Sequence, residues 1–556
     1  MTSRTGAEVL VDQLLLQKVS DIFCVPGESY LAVLDALHDA DVRVTVCRQE
    51  AGAGFMADAV GRLTGRPGVV FVTRGPGATN AAHAIHVAKQ DSIPLIMFVG
   101  QIDRSMRERE AFQEVDYRAA FGPLAKWATE IDDARRIPEI VARAFHVAMS
   151  GRPGPVVIAL PEDMLTDEVT VPDAPYAQAI ETHPGAGDIA ELERRILAAK
   201  SPIAIIGGTR WDAASTADFA EFARKFKLPV AVSFRRQMLF SPDHPCFAGD
   251  LGIAPNPKLL ARIKGADLII AVNARLSEMP SQSYTLLPIP GDGARLVHVH
   301  PDAGELGRVY ATGLPIHASP APFAAALAAL KAPANVPWAA ETAQAHEDYI
   351  GWTENPAPTP GEFHPGLAMQ WLRSHLPDNA ILTNGAGNYA SWLHRFYRFR
   401  RFGTQLAPTS GSMGYGLPAA VGAKRHFPDR TVVSINGDGC FMMNGQEFAT
   451  AVQYNLNIIV LIIDNGMYGT IRMHQEREYP GRVSATQLKN PDFAAYARAF
   501  GGHGETVRST AEFVPAFERA QASGKPAILH CFLDPEAITT TSTLSTIRAN
   551  AIKAGR

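Results

Sequence analysis

Short apolar runs recur along the whole chain, separated by polar turns that carry glycine or proline. Residues 21–25, 67–73, 95–99 and 155–160 form one set, and 202–206, 266–272 and 295–299 a second. A third set comprises 431–435 and 458–463. Near-continuous apolar runs of this length suit parallel strands buried on both faces. Segments with helical spacing lie between them. In 6–18, Val9, Leu10, Leu14 and Leu15 share one face. Strands alternating with such helices predict parallel sheets covered by helices on both sides.

At 556 residues the chain exceeds one core, and two proline-rich stretches divide it. One is 166–187, with Pro172, Pro175 and Pro184; the other is 331–361, with Pro333, Pro337, Pro356, Pro358 and Pro360. Both read as linkers. The expected class is α/β, with three consecutive doubly wound parallel-sheet domains at 1–165, 190–330 and 362–545. The middle one is Rossmann-like, since 202–206 runs into Gly207-Gly208, although no GxGxxG fingerprint follows. The outer two show a loose parallel. Each has a strand leading into a glycine-rich turn, Gly75-Pro76-Gly77-Ala78 or Gly437-Asp438-Gly439-Cys440.

Composition narrows the function classes. The chain is 46% apolar and 19% charged with a net charge of −4, which gives no electrostatic case for nucleic acid. No apolar run approaches the roughly 18 residues of a membrane span. Cys24, Cys47, Cys246, Cys440 and Cys531 are scattered and lack CxxC spacing, so neither a disulfide framework nor a zinc site is expected. The start, Met1-Thr2-Ser3-Arg4-Thr5, has no apolar signal core. A cytoplasmic protein follows as the expectation.

The candidate chemistry lies where 431–435 leads into Gly437-Asp438-Gly439-Cys440 and 458–463 leads into Asp464-Asn465-Gly466-Met467. Two buried parallel strands would thus deliver Asp438 and Asn465 to one sheet edge. Their hard oxygens suit Mg²⁺ partnered by phosphate, and the glycines let backbone N–H groups approach a diphosphate. This pattern resembles the cofactor motif of thiamine diphosphate (ThDP) enzymes. Segments 48–58 (RQEAGAGFMAD), 72–80 (VTRGPGATN), 111–116 (AFQEVD) and 411–418 (GSMGYGLP) extend the resemblance over nearly the whole chain, most closely to the acetolactate synthase (acetohydroxyacid synthase large subunit) branch.

The resemblance implies a pyrimidine-binding first domain and a diphosphate-binding third. Glu50 would hydrogen-bond the pyrimidine and promote its imino tautomer; many relatives have His before this Glu, where this chain has Gln49. Met413 would wedge the two cofactor rings together, and the Gly411 carbonyl would accept from the 4′-amino group. Gly437, Gly439, Cys440 and Tyr468 belong to the cofactor-binding turns. Asp438, Asn465 and the Met467 carbonyl would hold Mg²⁺, with Asp464 standing where relatives often have Asn. The two half-sites come from different subunits in the family, so a homodimer is the smallest unit, and a tetramer is open. FAD in the middle domain is open too, because Gly207-Gly208-Thr209 and Gly249-Asp250-Leu251-Gly252 keep only part of the pattern.

Around the reacting carbon the resemblance and the chain part company. Phe112-Gln113 matches the synthases and replaces the His-His pair of simple decarboxylases; Thr470-Ile471-Arg472 lacks the decarboxylase glutamate. Gln113 and Glu28 join Glu50 as catalytic candidates. Ser29, Phe112, Met279, Thr470, Ile471 and His474 are candidate pocket residues. Met279 stands where synthases carry an Arg for the acceptor carboxylate, and His474 where they carry a Trp. Met cannot pair with a carboxylate; Arg472 or Arg275 would either compensate or serve a structural ion pair. Glu28 is either a buried, proton-shuttling carboxyl with a raised pKa or a helix N-terminal glutamate. The last residues, including 539–543, are either a lid or a frayed end. The implied activity is Mg²⁺-assisted decarboxylation of a 2-oxo acid, pyruvate by default, with attack of the resulting enamine on a carbonyl acceptor. The alternatives are a 2-oxo acid decarboxylase, a lyase for a 2-hydroxy ketone or 2-hydroxyacyl-CoA, or a non-catalytic ThDP-binding protein.

Overall fold

The computed structural model describes residues 2–291 and 293–556. After a two-residue strand β1 (Arg4–Thr5), the first sheet comprises β2 (Asp21–Cys24), β3 (Arg43–Val46), β4 (Gly68–Val72), β5 (Leu95–Gln101), β6 (Trp127–Glu130) and β7 (Pro155–Pro161). β8 (Glu168–Val169) returns to pair antiparallel with β1. The middle sheet holds β9 (Pro202–Ile206), β10 (Val230–Ser233), β11 (Phe247–Leu251), β12 (Leu268–Val272), β13 (Leu296–His300) and β14 (Leu314–His317). The third holds β15 (Ile381–Asn384), β16 (Gln405–Leu406), β17 (Val432–Gly437), β18 (Ile459–Asp464), β19 (His503–Val507) and β20 (Ala527–Phe532). All three sheets are parallel and six-stranded. Their central strands are buried throughout, as runs apolar on both faces require.

The first and third sheets have the same connectivity, β3-β2-β4-β5-β7-β6 and β16-β15-β17-β18-β20-β19. The parallel seen in their glycine turns therefore extends to the whole sheet. The middle sheet, β11-β10-β9-β12-β13-β14, has the order of a dinucleotide-binding fold.

One hydrophobic core joins the outer domains. The helix Glu50–Thr64 packs on Gly416–His426, with Phe55, Met56, Tyr415 and Leu417 fully buried. Gly422 permits this approach, since a Cβ there would lie 2.6 Å from the Met56 carbonyl oxygen. Burying each large side chain contributes about 2–3 kcal/mol. A polar network crosses the same interface. Arg62 Nε donates to Asp58 Oδ2 at 2.6 Å and Nη2 to Asp91 Oδ2 at 2.6 Å. Tyr415 donates to Asp58 at 2.7 Å. Asp91 also accepts from the backbone of Thr409 and Ser410, at 2.7 and 2.8 Å. The loop leading to Gly411 is thus pinned to the first domain.

Two sequence expectations change. The stretch 331–361 is not a bare linker: it contains the helix Ala339–Glu354. Its prolines fall outside the helix, and Thr342, Ala345, Tyr349 and Thr353 form its buried face against β11. The C-terminal residues are no frayed end. The helix Leu544–Lys553 docks on Gly469–Glu478, with Leu544 packed against Met473 and Ile538. Arg548 reaches the buried Glu476, its Nε donating at 2.8 Å. Among the described residues no helix is long and apolar enough to cross a membrane.

Candidate active site

β17 and β18 are neighbours, with Gly437 in register with Ile463. Asp438 and Asn465 therefore emerge together at the carboxyl edge, where α/β sheets collect ligands. They face a cavity of about 250 Å³ lined also by Gly411, Met413, Gly437, Gly439, Cys440, Met467, Tyr468, Thr470 and Ile471. The glycines set its shape. A Cβ on Gly437 would lie 2.8 Å from Tyr389 Cδ1, and one on Gly439 2.6 Å from Tyr468 Cε1. Tyr389 is held by its hydroxyl, which donates to Cys440 Sγ at 3.2 Å and accepts from Gly385 N at 3.1 Å.

The Asp438 end is acidic and buried. Asp438 is 3% exposed, and burial, followed by the nearby Asp464 carboxylate, drives its pKa upward. Asp464 is itself buried, yet its pKa falls because His530, Gly466 and Asn490 donate to it. A buried carboxylate that resists ionisation is a fitting ligand for a hard cation, whose charge offsets the desolvation. Asp438, Asn465 and the Met467 carbonyl supply oxygens of the kind Mg²⁺ takes. Among the described residues no group of three or more His, Cys, Asp or Glu side chains forms a metal site; the set here needs only one carboxylate.

Several wall residues were not foreseen. Asn388 N donates to Thr470 Oγ1 at 3.1 Å, and Thr470 Oγ1 donates to Asn388 Oδ1 at 3.0 Å. Asn388 Nδ2 donates to the Ile538 carbonyl at 3.0 Å. The carboxyl end of β15 was a signal for residues 386–389, because it lies beside β17 on the same edge. No sequence signal marks Leu533, Ala537, Ile538 or Asn490.

The first-domain candidates gather elsewhere. Glu50 opens the helix Glu50–Thr64, capped by Gln49, and its Oε2 accepts from Asn80 Nδ2 at 3.0 Å. Ser29 is buried, bonded to Thr73 at 2.8 Å and accepting from Arg74 N at 3.3 Å. Gln113, at φ 66°, packs on Gly75. Within the single chain the Glu28 side chain is 70% exposed and pairs with Arg74 at 3.2 Å. It opens the short 3₁₀ turn Glu28–Tyr30, which turns Ser29 and Tyr30 inward instead. Phe112 is also exposed. None of these residues lines the Asp438 cavity, whose walls come entirely from 386–538.

A second cavity, of about 520 Å³, adjoins the first through Ala386, Gly387, Asn388, Gly411 and Thr470. Met279 lines it, with Arg235, Arg236 and Arg275. Arg275 is paired with Glu305 at 3.3 Å, and Arg472 is buried against Glu476. His474 lies one turn beyond Thr470 and Ile471, exposed and outside both cavities. At the glycine turn after β9, Arg236 Nε donates to the Gly208 carbonyl at 2.9 Å and Asn273 Nδ2 donates to that of Thr209.

The chain matches family models described as "Thiamine pyrophosphate enzyme, N-terminal TPP binding domain" over 4–120, "central domain" over 189–328 and "C-terminal TPP binding domain" over 385–531. It is 31% identical to the acetolactate synthase isozyme 2 large subunit of Escherichia coli strain K12, over 95% of each chain. It is 31% identical to the acetolactate synthase large subunit of Corynebacterium glutamicum, over 96% of this chain and 87% of that one. A solved structure, the thiamine diphosphate-dependent 4-hydroxybenzoylformate decarboxylase of Rhodococcus jostii RHA1, superposes with TM-score 0.83. It shares 26% identity over 96% of this chain and 99% of that one.

Proposed function

We propose, for a chain that belongs to the thiamine pyrophosphate enzyme family and within it to the acetolactate synthase-like branch, decarboxylation of a 2-oxo acid followed by carbon–carbon bond formation to a carbonyl acceptor. Pyruvate giving 2-acetolactate is the default pair, as the names of the relatives suggest. Thiamine diphosphate, when bound, supplies the nucleophilic carbon and the electron sink. The chain's task is to hold and orient it. Asp438, Asn465 and the Met467 carbonyl would hold Mg²⁺ against the diphosphate, Met413 and Gly411 would bear on the rings, and Glu50 would hold the pyrimidine nitrogen.

One observation carries the choice of ligation. The lining of the Asp438 cavity contains no histidine and no carboxylate apart from Asp438 itself. Past the metal end the wall is Thr470, Ile471, Leu533, Ala537 and Ile538. This half of the site thus has no acid to protonate product, and Phe112-Gln113 puts no His-His pair in the other half, so a carbonyl acceptor competes.

Because Glu50 lies outside that cavity, the active unit in this proposal is a homodimer whose subunits exchange half-sites; a tetramer is a pair of such dimers. Arg236 and Asn273 bond the glycine turn that would face a dinucleotide, and the proposed reaction needs no FAD. A cytoplasmic setting suits five buried, unpaired cysteines.

The test is turnover of a 2-oxo acid panel with ThDP and Mg²⁺, followed by CO₂ release and product NMR. The expected product from pyruvate is 2-acetolactate. Acetaldehyde alone would instead support simple decarboxylation, the reading that the Rhodococcus structure favours. Absence of any CO₂ release points to a lyase for 2-hydroxy ketones or 2-hydroxyacyl-CoA.

A further inference from the structure

Glu447 lines neither cavity and has no exposed surface. Among the described residues no lysine or arginine side chain bonds to it; its partners are a neighbouring hydroxyl and two backbone amides of the first domain. Oε1 accepts from Arg48 N at 3.0 Å and from Gln49 N at 2.9 Å, and Thr450 Oγ1 donates to Oε2 at 2.6 Å. A carboxylate buried without a cation is costly, and burial pushes the Glu447 pKa up against these donors. Bonds from backbone N–H to a charged acceptor are also strong, roughly twice as strong as neutral ones. Here they fall on the two residues that precede Glu50.

Arg48 and Gln49 lie between β3 and the helix Glu50–Thr64, so neither ladder nor helix satisfies their N–H groups. The third domain does. Tyr454 Oη accepts from Val46 N at 2.8 Å, and Gln453 Oε1 accepts from Arg48 Nη2 at 2.6 Å. The helix Glu447–Gln453 and the residue after it thus grip the whole connection. Gly52 makes room, since a Cβ there would stand 2.6 Å from Glu447 Oε1. The carboxylate therefore rests on the first turn of the helix Glu50–Thr64, where the helix dipole favours a negative charge. Its own backbone is tied to the Asp438 turn. Met442 N donates to the Asp438 carbonyl at 3.1 Å, Asn444 N to that of Phe441 at 3.2 Å and Glu447 N to that of Asn444 at 3.1 Å. Asn444 Nδ2 donates to the Gly414 carbonyl at 2.9 Å. One short segment runs from Asp438 past the Met413 loop to the backbone that presents Glu50.

We propose that Glu447 is a positioning residue for cofactor activation: its carboxylate fixes the backbone of Arg48 and Gln49, and thereby where Glu50 presents its own carboxylate. The assignment rests on the reading of Glu50 as the group that holds the pyrimidine nitrogen.

The experiment compares wild type with Glu447→Gln, Glu447→Asp, Glu447→Ala and Glu50→Gln. Glu447→Gln keeps an oxygen within reach of the two N–H groups and loses the charge; Glu447→Asp keeps the charge and loses the reach. Amide hydrogen exchange of residues 46–52, followed by mass spectrometry without and with ThDP and Mg²⁺, reads the hold on the backbone. Exchange of the cofactor C2 proton reads Glu50. Glu447→Asp and Glu447→Ala are expected to lose about tenfold in amide protection and to slow C2-proton exchange on the order of 10–100-fold, with ThDP affinity unchanged. Glu447→Gln stays near wild type in both. A lowered thermal midpoint with unaltered C2-proton exchange marks a merely structural role and overturns the proposal. Unaltered amide protection in all three Glu447 variants overturns it too. So does Glu447→Asp matching wild type while Glu447→Gln is slow, which assigns the effect to charge. Where Glu447→Asp and Glu447→Ala do not fold, Gly52→Ala displaces the carboxylate from the opposite side and is read in the same two ways. Unaltered C2-proton exchange in Glu50→Gln overturns the reading of Glu50; slow Glu50→Gln beside normal Glu447→Asp overturns this proposal alone.

Discussion

Asp438 and Asp464 share one donor: the side-chain amide of Asn490 reaches Asp438 Oδ2 at 2.7 Å and Asp464 Oδ1 at 2.8 Å. The amide fixes which oxygen of Asp438 remains free to face the cavity. Outer-shell partners of this kind are worth about 10–100-fold in metal affinity. Asn490→Leu is expected to weaken Mg²⁺-dependent ThDP binding by that factor while leaving the circular dichroism of the protein unchanged. Mg²⁺ titration of ThDP binding reads the effect, and an unaltered titration would show that Asp438 needs no such support.

Glu50 accepts a hydrogen bond from Asn80 at 3.0 Å, which holds its carboxylate at the start of the helix Glu50–Thr64. Glu50→Gln keeps the shape and loses the charge. ThDP binding is expected to persist, with exchange of the cofactor C2 proton slowed about 10²–10⁴-fold. Exchange followed by NMR in deuterated buffer decides this; an unchanged rate removes Glu50 from cofactor activation.

The separation of Glu50 from the Asp438 cavity makes a prediction about mixtures. Glu50→Gln and Asp438→Ala homodimers should each be inactive. Co-expressed, they form heterodimers in which one of the two sites is intact. Random pairing returns about a quarter of the wild-type activity. No recovery in a verified heterodimer means that both residues serve one site within a single chain.

Asp250 sits at a cavity wall where burial raises its pKa from 3.8 to about 7, against a hydrogen bond from Gln237 that lowers it. The folded state thus binds this proton more tightly than the unfolded chain. Its stabilising contribution is full below about pH 4 and is lost as pH rises through 7. Asp250→Asn removes the loss, on the order of a few kcal/mol. The variant should show a higher thermal midpoint than wild type at pH 8 and no gain at pH 4. Parallel pH profiles for the two proteins contradict this.

The parts of the fold that announced themselves were those governed by local pattern. β18 is apolar on both faces and β17 nearly so, so their burial and parallel pairing were readable, and with them the meeting of Asp438 and Asn465. Proline density misled at 331–361, because it marks where a helix cannot run and is silent on the sixteen residues between. Asn388, Asn490 and Arg235 escaped for a different reason. Each acts through contacts to residues 20 or more positions away, which no spacing rule encodes.

The shared wall between the two cavities has a consequence for substitution. Ala386, Gly387, Asn388, Gly411 and Thr470 serve both, whereas Arg235 and Met279 touch only the larger one. The larger cavity thus draws part of its wall from loops that follow the middle sheet's strands, apart from the turns that carry Asp438 and Asn465. Substitutions at Arg235 or Met279 can therefore reshape the larger cavity and leave the turns that carry Asp438, Asn465 and Met413 untouched.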